Sequence, residues 1–359
     1  MSDPRPDLAA LELTSLEELF RREGIDAFHA RQVYRWIHRR GHRSFDGMTD
    51  VSAALRQRLA STARLETPVI ETRQVSVDGT RKFLLRLGDD RRVEAVFIPD
   101  TPAMTFCISS QVGCAMDCAF CLTGRMGFVR NLTAGEIVGQ VRALAAELGM
   151  LDERFNIVLM GMGEPLHNYD AVMQAVRMLV NEHGFAMNPR RITLSTVGLV
   201  PAIVRLAKET VMPNLAISLH GTTDEQRNAL VPVNRKYSLA ALIDACRQVP
   251  LRRRDRITFE YVLLDGVNDT PADARRLVKL LSDLRAKVNL IPLNPAPGIP
   301  FERPSDDRID RFAQALAERG MTVSVRKSRG RDIRAACGQL IVEGQKRSPA
   351  QRAATLMPA

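Results

Sequence analysis

Aromatic side chains are scarce, one Trp, four Tyr and 13 Phe making up 5% of the 359 residues. That excludes a binding platform of rows of exposed rings, on which single strands are commonly stacked. Lysine is scarce too, with seven among 51 basic residues, so the formal net charge of +10 is carried by arginine. The planar guanidinium suits phosphate, which favours a polyanionic partner such as RNA over a neutral one. No apolar run reaches the 18 residues of a membrane-spanning helix, and the first twenty residues lack the basic-then-apolar pattern of a secretory leader. A cytoplasmic protein without a membrane partner is expected. Six cysteines, at 107, 114, 118, 121, 246 and 337, are too few and too clustered for a disulfide scaffold. In a reducing compartment such a cluster points to metal binding or catalysis.

Four stretches follow from the patterning. Residues 1–65 carry only helical periodicity, through Leu16, Leu19 and Phe20, then Val33, Trp36 and Ile37, then Val51, Leu55 and Leu59. They read as a helical accessory module whose Arg31, Arg35, His38, Arg39, Arg40, His42 and Arg43 form a basic face, suited to RNA or simply solvated. Over 66–100 the period changes to two, with Asp78-Gly79 and Gly88-Asp89 as turns, which predicts an antiparallel β-hairpin extension. From 101 to 325 six strand-like runs (MTFCISS, NIVLMG, RITLSTV, NLAISLH, ITFEYVLL, VNLIPLN) alternate with helices. Capping boxes at Thr133/Glu136 and Thr223/Gln226, Thr270-Pro271 and Ser305 mark helix starts, and Gly320 marks a stop. Apolar strands each followed by a helix predict an α/β fold with a parallel sheet, a partial (β/α) barrel of six units rather than eight. The last stretch, 326–359, carries Cys337.

The decisive motif is Cys114-Ala-Met-Asp-Cys118-Ala-Phe-Cys121. Three thiolates spaced CxxxCxxC after a strand can hold three irons of a [4Fe-4S] cube, and with no fourth cysteine nearby one iron stays open. A structural zinc would want paired Cys or Cys/His sets. This spacing, with Phe120 before the third cysteine, resembles the signature of radical S-adenosylmethionine (radical SAM) enzymes, which usually have a partial six-unit barrel. The resemblance implies that the open iron chelates the cofactor's methionine end.

Gly161-Met-Gly163-Glu164-Pro165-Leu166 follows the second strand and fails as a dinucleotide fingerprint, because Leu166 stands at the third glycine position. As the second motif of the radical enzymes, its glycines would let backbone approach the cofactor while Glu164 accepts from the ammonium group. Ser195, Ser218 with His220, and Asn294 stand near strand C-terminal ends, where a parallel barrel builds its site. Cys246, on a Leu/Ala-rich helix, reads as a core cysteine. Cys337 sits in AACGQL, with Arg329, Arg331 and Arg334 placed to favour a thiolate.

The runs CISSQVGC (107–114), GFVRNLTAGEI, GMGEPL, AISLH and AACGQL, in this order, resemble the RlmN/Cfr group of RNA methyltransferases from about Glu94 to Leu340. Pro165 is similar to the carbon-2 enzymes of that group rather than the carbon-8 ones, which carry Ala there. The resemblance implies a [4Fe-4S] cluster on Cys114, Cys118 and Cys121, and two S-adenosylmethionine molecules per turnover bound around Gly163, Glu164, Ser195, Ser218, Leu219, His220 and Asn294. It implies methylation of adenosine carbon 2 in 23S rRNA and tRNA by a monomer that takes electrons from a flavodoxin or ferredoxin. Cys337 would accept a methyl group and become crosslinked to RNA through it; Glu94 would remove the carbon-2 proton; Cys107 would release the product by forming a disulfide with Cys337. The alternatives are carbon-8 methylation by the same chemistry, or a non-catalytic iron-sulfur protein that binds RNA or senses redox state.

Overall fold

The computed structural model describes residues 3–99 and 103–342; the tail of the C-terminal stretch, 343–359, lies outside the described residues. Three helices, α1 (Leu13–Arg22), α2 (Ala27–His38) and α3 (Ala53–Thr62), form the N-terminal module. Their apolar stripes meet in a small core of their own that includes Leu16, Phe20, Val33, Trp36, Ile37, Val51 and Leu59. Arg31, Arg35, Arg39, Arg40 and Arg43 stay exposed, with Arg40 stacked 3.9 Å above the Trp36 ring. His38 departs from the expected basic face. It is fully buried, its ring 4.3 Å from that of Tyr34 and tilted to it, and burial pushes its pKa far down, so it is a neutral core residue.

The β-rich stretch starts with β1 (Val69–Val75), β2 (Arg81–Arg86) and β3 (Arg92–Ile98), an antiparallel meander. The first turn uses left-handed backbone where expected, at Gly79 (φ 81°); in the second it falls at Asp90 (φ 61°), one residue past the expected Gly88-Asp89 pair. β3 also pairs antiparallel with β4 (Thr105–Cys107), Val96 opposite Cys107, which makes the extension continuous with the larger sheet. β5 (Gln111–Gly113) and β6 (Phe128–Asn131) form a separate two-stranded sheet flanking α4 (Leu122–Met126). The predicted strands then follow in parallel as β7 (Asn156–Leu159), β8 (Ile192–Thr196), β9 (Asn214–Ser218), β10 (Ile257–Leu263) and β11 (Ala286–Pro292), with β12 (Val323–Val325) a seventh parallel strand. The ten strands run in the order β1-β2-β3-β4-β7-β8-β9-β10-β11-β12, and β1 does not pair with β12. Six β/α units in an open sheet are therefore what the chain builds: the partial barrel.

Helices behind the sheet start at the expected capping residues, and Ser238 caps α9 (Leu239–Arg247), whereas α6 (Tyr169–Val180) and α7 (Val200–Leu206) start without a side-chain cap. Thr133 and Glu136 complete a reciprocal box on α5 (Ala134–Glu147). Thr270 and Asp273 do so on α10 (Pro271–Leu281). At α8 (Asp224–Leu230) the box is only half made. Thr223 caps Gln226 N, but the Gln226 side chain accepts from Thr222 instead. Ser305 starts α11 (Asp306–Ala317), and Gly320 (φ 77°) stops it, its N–H reaching Ala317 O.

Gly135, in the first turn of α5, is where the helical module touches the barrel. A Cβ added there would lie 2.6 Å from Ala10 Cβ and 2.8 Å from Ala10 Cα. Helix propensity alone would make Gly135→Ala stabilising by about 1 kcal/mol. The backbone contact reverses the sign, and denaturant unfolding should show a loss of roughly 1–3 kcal/mol.

Candidate active site

At the C-terminal ends of the parallel strands lies a cavity of about 920 Å³, part of it open to solvent. The loop after β5 brings Cys114, Cys118 and Cys121 to one wall, and the loop after β7 brings Gly161, Gly163 and Glu164 to another. Ser195, Ser218, His220 and Asn294 complete the lining, the two serine hydroxyls 3.4 Å apart. All the expected site residues of this group thus converge except Leu219. That side chain is buried in the core, and its backbone bonds to Glu260 O and Arg227 Nε.

Burial shapes the chemistry of each polar group. Glu164 is almost wholly enclosed; desolvation pushes its pKa up to about 7, against hydrogen bonds that favour the anion. Val197 N donates to its Oε2 at 2.9 Å and Leu166 N to its Oε1 at 3.0 Å, so both oxygens are aimed. His220 takes a left-handed backbone (φ 59°), and burial pushes its pKa down to about 3. Its Nδ1 accepts from Val262 N at 3.0 Å, which leaves Nε2–H as a neutral donor. The loops are tied by Arg227, fully buried, whose guanidinium donates to Leu219 O, Asn234 Oδ1, Ser218 O and Val197 O.

The glycines of GMGEPL, which line the cavity, are also required by packing within the protein. The space a Cβ would take at Gly161 is filled by Ile108 C and O at 2.7 Å, and at Gly163 (φ 103°) by Gln111 Cβ at 2.6 Å. Glycine is required there by loop-on-loop packing within the protein. Nothing in these contacts needs a ligand.

The donor set fits an iron-sulfur cube. Burial pushes the thiols of Cys114, Cys118 and Cys121 up, with Cys121 adding to the first two and Cys114 to Cys118; bound positive charge would favour their thiolates. Among the described residues no three His, Cys, Asp or Glu side chains are gathered around a single-ion site; the three thiols instead line a wide cavity. Beside them Asn294 Oδ1 is buried without a partner among the described residues, an acceptor facing a cofactor-sized space.

Cys337 lines this cavity and also a second one of about 470 Å³, which contains Cys107. Desolvation, and then the neighbouring Cys337, push the Cys107 thiol up to about 12. Arg326 lines both cavities. The adjacent Cys337, then Glu260 and Cys107, hold its guanidinium firmly charged. Sequence reasoning missed Arg326 and Glu260. The charge inside the apolar run ITFEYVLL was the available signal for Glu260; Arg326 gave none to distinguish it from Arg329, Arg331 and Arg334. Glu94 lies apart, in β3 under the C-terminal segment, where it lines a third, open cavity.

The open sheet and the thiol-lined cavity at its C-terminal edge define a radical SAM enzyme, and residues 108–280 match the radical SAM superfamily. Residues 6–65 match the ribosomal RNA large subunit methyltransferase N-terminal domain. The chain is 49% identical to the dual-specificity RNA methyltransferase RlmN of Anaeromyxobacter dehalogenans, over 99% of this chain and 97% of that one. It is 51% identical to the RlmN of Geobacter sulfurreducens, over 94% and 92%. The crystal structure of a radical SAM methyltransferase from Sphaerobacter thermophilus superposes with a TM-score of 0.87 at 47% identity, covering 93% of this chain and 99% of that one. The chain belongs to the RlmN family of dual-specificity RNA methyltransferases.

A three-thiol site has no spare ligand. Cys118→Ala should therefore yield, after anaerobic reconstitution, protein without the brown chromophore and with little iron; full iron content in the variant would contradict the ligand set.

Proposed function

We propose that this chain methylates carbon 2 of adenosine in 23S rRNA and tRNA, with Cys114, Cys118 and Cys121 holding a [4Fe-4S] cluster and Cys337 carrying the methyl group. The observation that carries the reading is the position of Cys337, shared between the cavity of the three thiols and the cavity of Cys107. A carbon with no lone pair cannot displace a methyl group from a sulfonium. When bound, the cluster supplies an electron that cleaves S-adenosylmethionine to a carbon radical able to take hydrogen from a methyl group.

The protein's residues divide the remaining work. Glu164 accepts from the cofactor's ammonium, while Gly163, Ser195, Ser218, His220 and Asn294 position the rest, with the Leu219 backbone holding its loop. Cys337 takes a methyl group onto Sγ by polar displacement. Once that S-methyl group has lost a hydrogen atom, its carbon adds to carbon 2 of the adenine and joins Cys337 to the RNA; the unpaired electron of the adduct would return to the oxidised cluster. Glu94 removes the carbon-2 proton. Cys107 attacks Cys337 Sγ as a thiolate; the bond from Sγ to the methylene carbon breaks, its electron pair stays with that carbon, which takes a proton from solvent to become the methyl group, and the disulfide so formed is reduced before the next round. Arg326, facing both sulfurs, favours the anionic form of the attacking thiol.

The exposed arginines of α2 and the loop after it supply phosphate contacts in the module of residues 1–65; 66–100 forms the β extension, 101–325 the barrel and 326–359 the segment bearing Cys337. Among the described residues no helix is long and apolar enough to cross a membrane. A cytoplasmic monomer reduced by a flavodoxin or ferredoxin fits this reading. Pro165 in GMGEPL favours carbon 2 over carbon 8.

The two cysteines should fail at different stages. Cys337→Ala has no acceptor sulfur and should give neither methylated protein nor product. Cys107→Ala should still add to the base and then accumulate a nuclease-sensitive, reductant-resistant protein–RNA adduct on denaturing gels. Normal turnover by a soluble, cluster-bearing Cys107→Ala would remove its resolving role.

A further inference from the structure

Glu94 is held by an arrangement that its role as a base does not by itself explain. Its Oε1 lies 2.9 Å from Lys82 Nζ, with the two side chains 6% and 12% exposed. Its Oε2 accepts from Ile341 N at 2.8 Å. Lys82 stands on β2 opposite Val96, and Leu84 opposite Glu94, so the pair are diagonal neighbours on one sheet face. Lys82 Nζ also approaches Arg334 O at 3.5 Å. Arg334 and Ile341 bracket Cys337, three residues before it and four after. One lysine and one glutamate thus seat the segment that bears the methyl acceptor.

The residue type matters. In a chain whose cations are nearly all arginine, Lys82 is the only lysine before Lys208. A guanidinium would fork across both carboxylate oxygens; an ammonium engages one as a point charge and leaves the other to the Ile341 amide. Burial favours the neutral form of a carboxyl and a cation beside it favours the anion, which is the form able to take a proton. The other charged groups lining this cavity are Arg92 from the same strand and Asp332 and Arg334 from the C-terminal segment. Arg92 is engaged by Glu71 at 2.6 Å, and Asp332 accepts from Ser76 Oγ at 2.5 Å.

We infer that Lys82 is a positioning residue for proton removal, its ammonium holding Glu94 ionised and aimed where the Cys337 segment docks. The inference rests on Glu94 being the base. In that step the carbon-2 proton passes to Glu94, the C–H electron pair stays with the adenine ring, and the neutral acid left beside the Lys82 ammonium returns its proton to water through the open cavity.

The test follows the protein–RNA adduct in single-turnover reactions of the cluster-loaded enzyme from pH 6 to 9. Lys82→Gln should methylate Cys337 and form the adduct in wild-type yield. Its adduct should decay roughly tenfold slower at pH 7 and recover towards pH 9, the effect of a titration midpoint raised to about one unit above pH 7. Lys82→Arg should keep the wild-type midpoint with a lower plateau, and Glu94→Gln should stall at every pH. A Lys82→Gln adduct that decays at the wild-type rate with an unmoved pH profile, beside a stalled Glu94→Gln, overturns the inference alone. Failure of folded, cluster-bearing Lys82→Gln to form the adduct also overturns it, because Lys82 would then act before proton removal. A Glu94→Gln adduct that resolves normally overturns the base assignment beneath it.

Discussion

The docking of residues 330–341 across the mouth of the barrel is the constraint on which the site depends. Gly330 N bonds to Asp78 Oδ2 at 3.0 Å, and Ser76 holds Asp332, which anchors the segment to the first hairpin. Leu122 N donates to Gly338 O at 2.8 Å and Thr123 Oγ1 to Leu340 O at 2.7 Å, which fixes it to the start of α4 just after Cys121. Asn294 Nδ2 reaches Cys337 O and Gln339 Nε2 reaches Pro295 O, which ties it to the end of β11. Gly338, at φ 79°, lets the backbone come close enough that a Cβ would sit 3.2 Å from Phe120 O. Separate parts of the chain thereby agree on one position for Cys337, between the cofactor cavity and Cys107.

A site assembled this way carries buried polar groups that cost stability unless each is satisfied. Arg227 meets that cost by bonding to three backbone carbonyls and one amide oxygen, so it holds the loops after β8 and β9 together. Glu164 and His220 are each held by backbone N–H groups, which aims them without fixing a charge on either. The three thiols are the exception: burial and mutual proximity disfavour their anions. A cationic cluster held there would replace their protons and link folding to metal loading.

Much of this could be read from the residues. The alternation of apolar runs with capped helices foretold six parallel units, and the spacing of Cys114, Cys118 and Cys121 foretold their common wall. What could not be read depended on contacts between segments far apart in sequence. Helical periodicity puts His38 on the basic side of α2, yet packing between the helical module and the barrel buries it. Gln226 stands where a capping box needs it, but Thr222 offers a better-placed donor. The glycines of GMGEPL line the cavity and also make room for Ile108 and Gln111, a need the motif alone does not reveal. Arg326 differs from its neighbours only in where β12 points it, and Lys82 gains its meaning from strand register.

The central claim is that this arrangement places a methyl group on carbon 2 of adenosine in both classes of RNA. Nucleoside mass spectrometry of digested 23S rRNA and tRNA, from cells with the gene, without it, and with it restored, tests that claim directly. The account predicts 2-methyladenosine in both RNAs, lost on deletion and returned on complementation. Unchanged 2-methyladenosine in the deletion strain, or 8-methyladenosine as the product that tracks the gene, would contradict it.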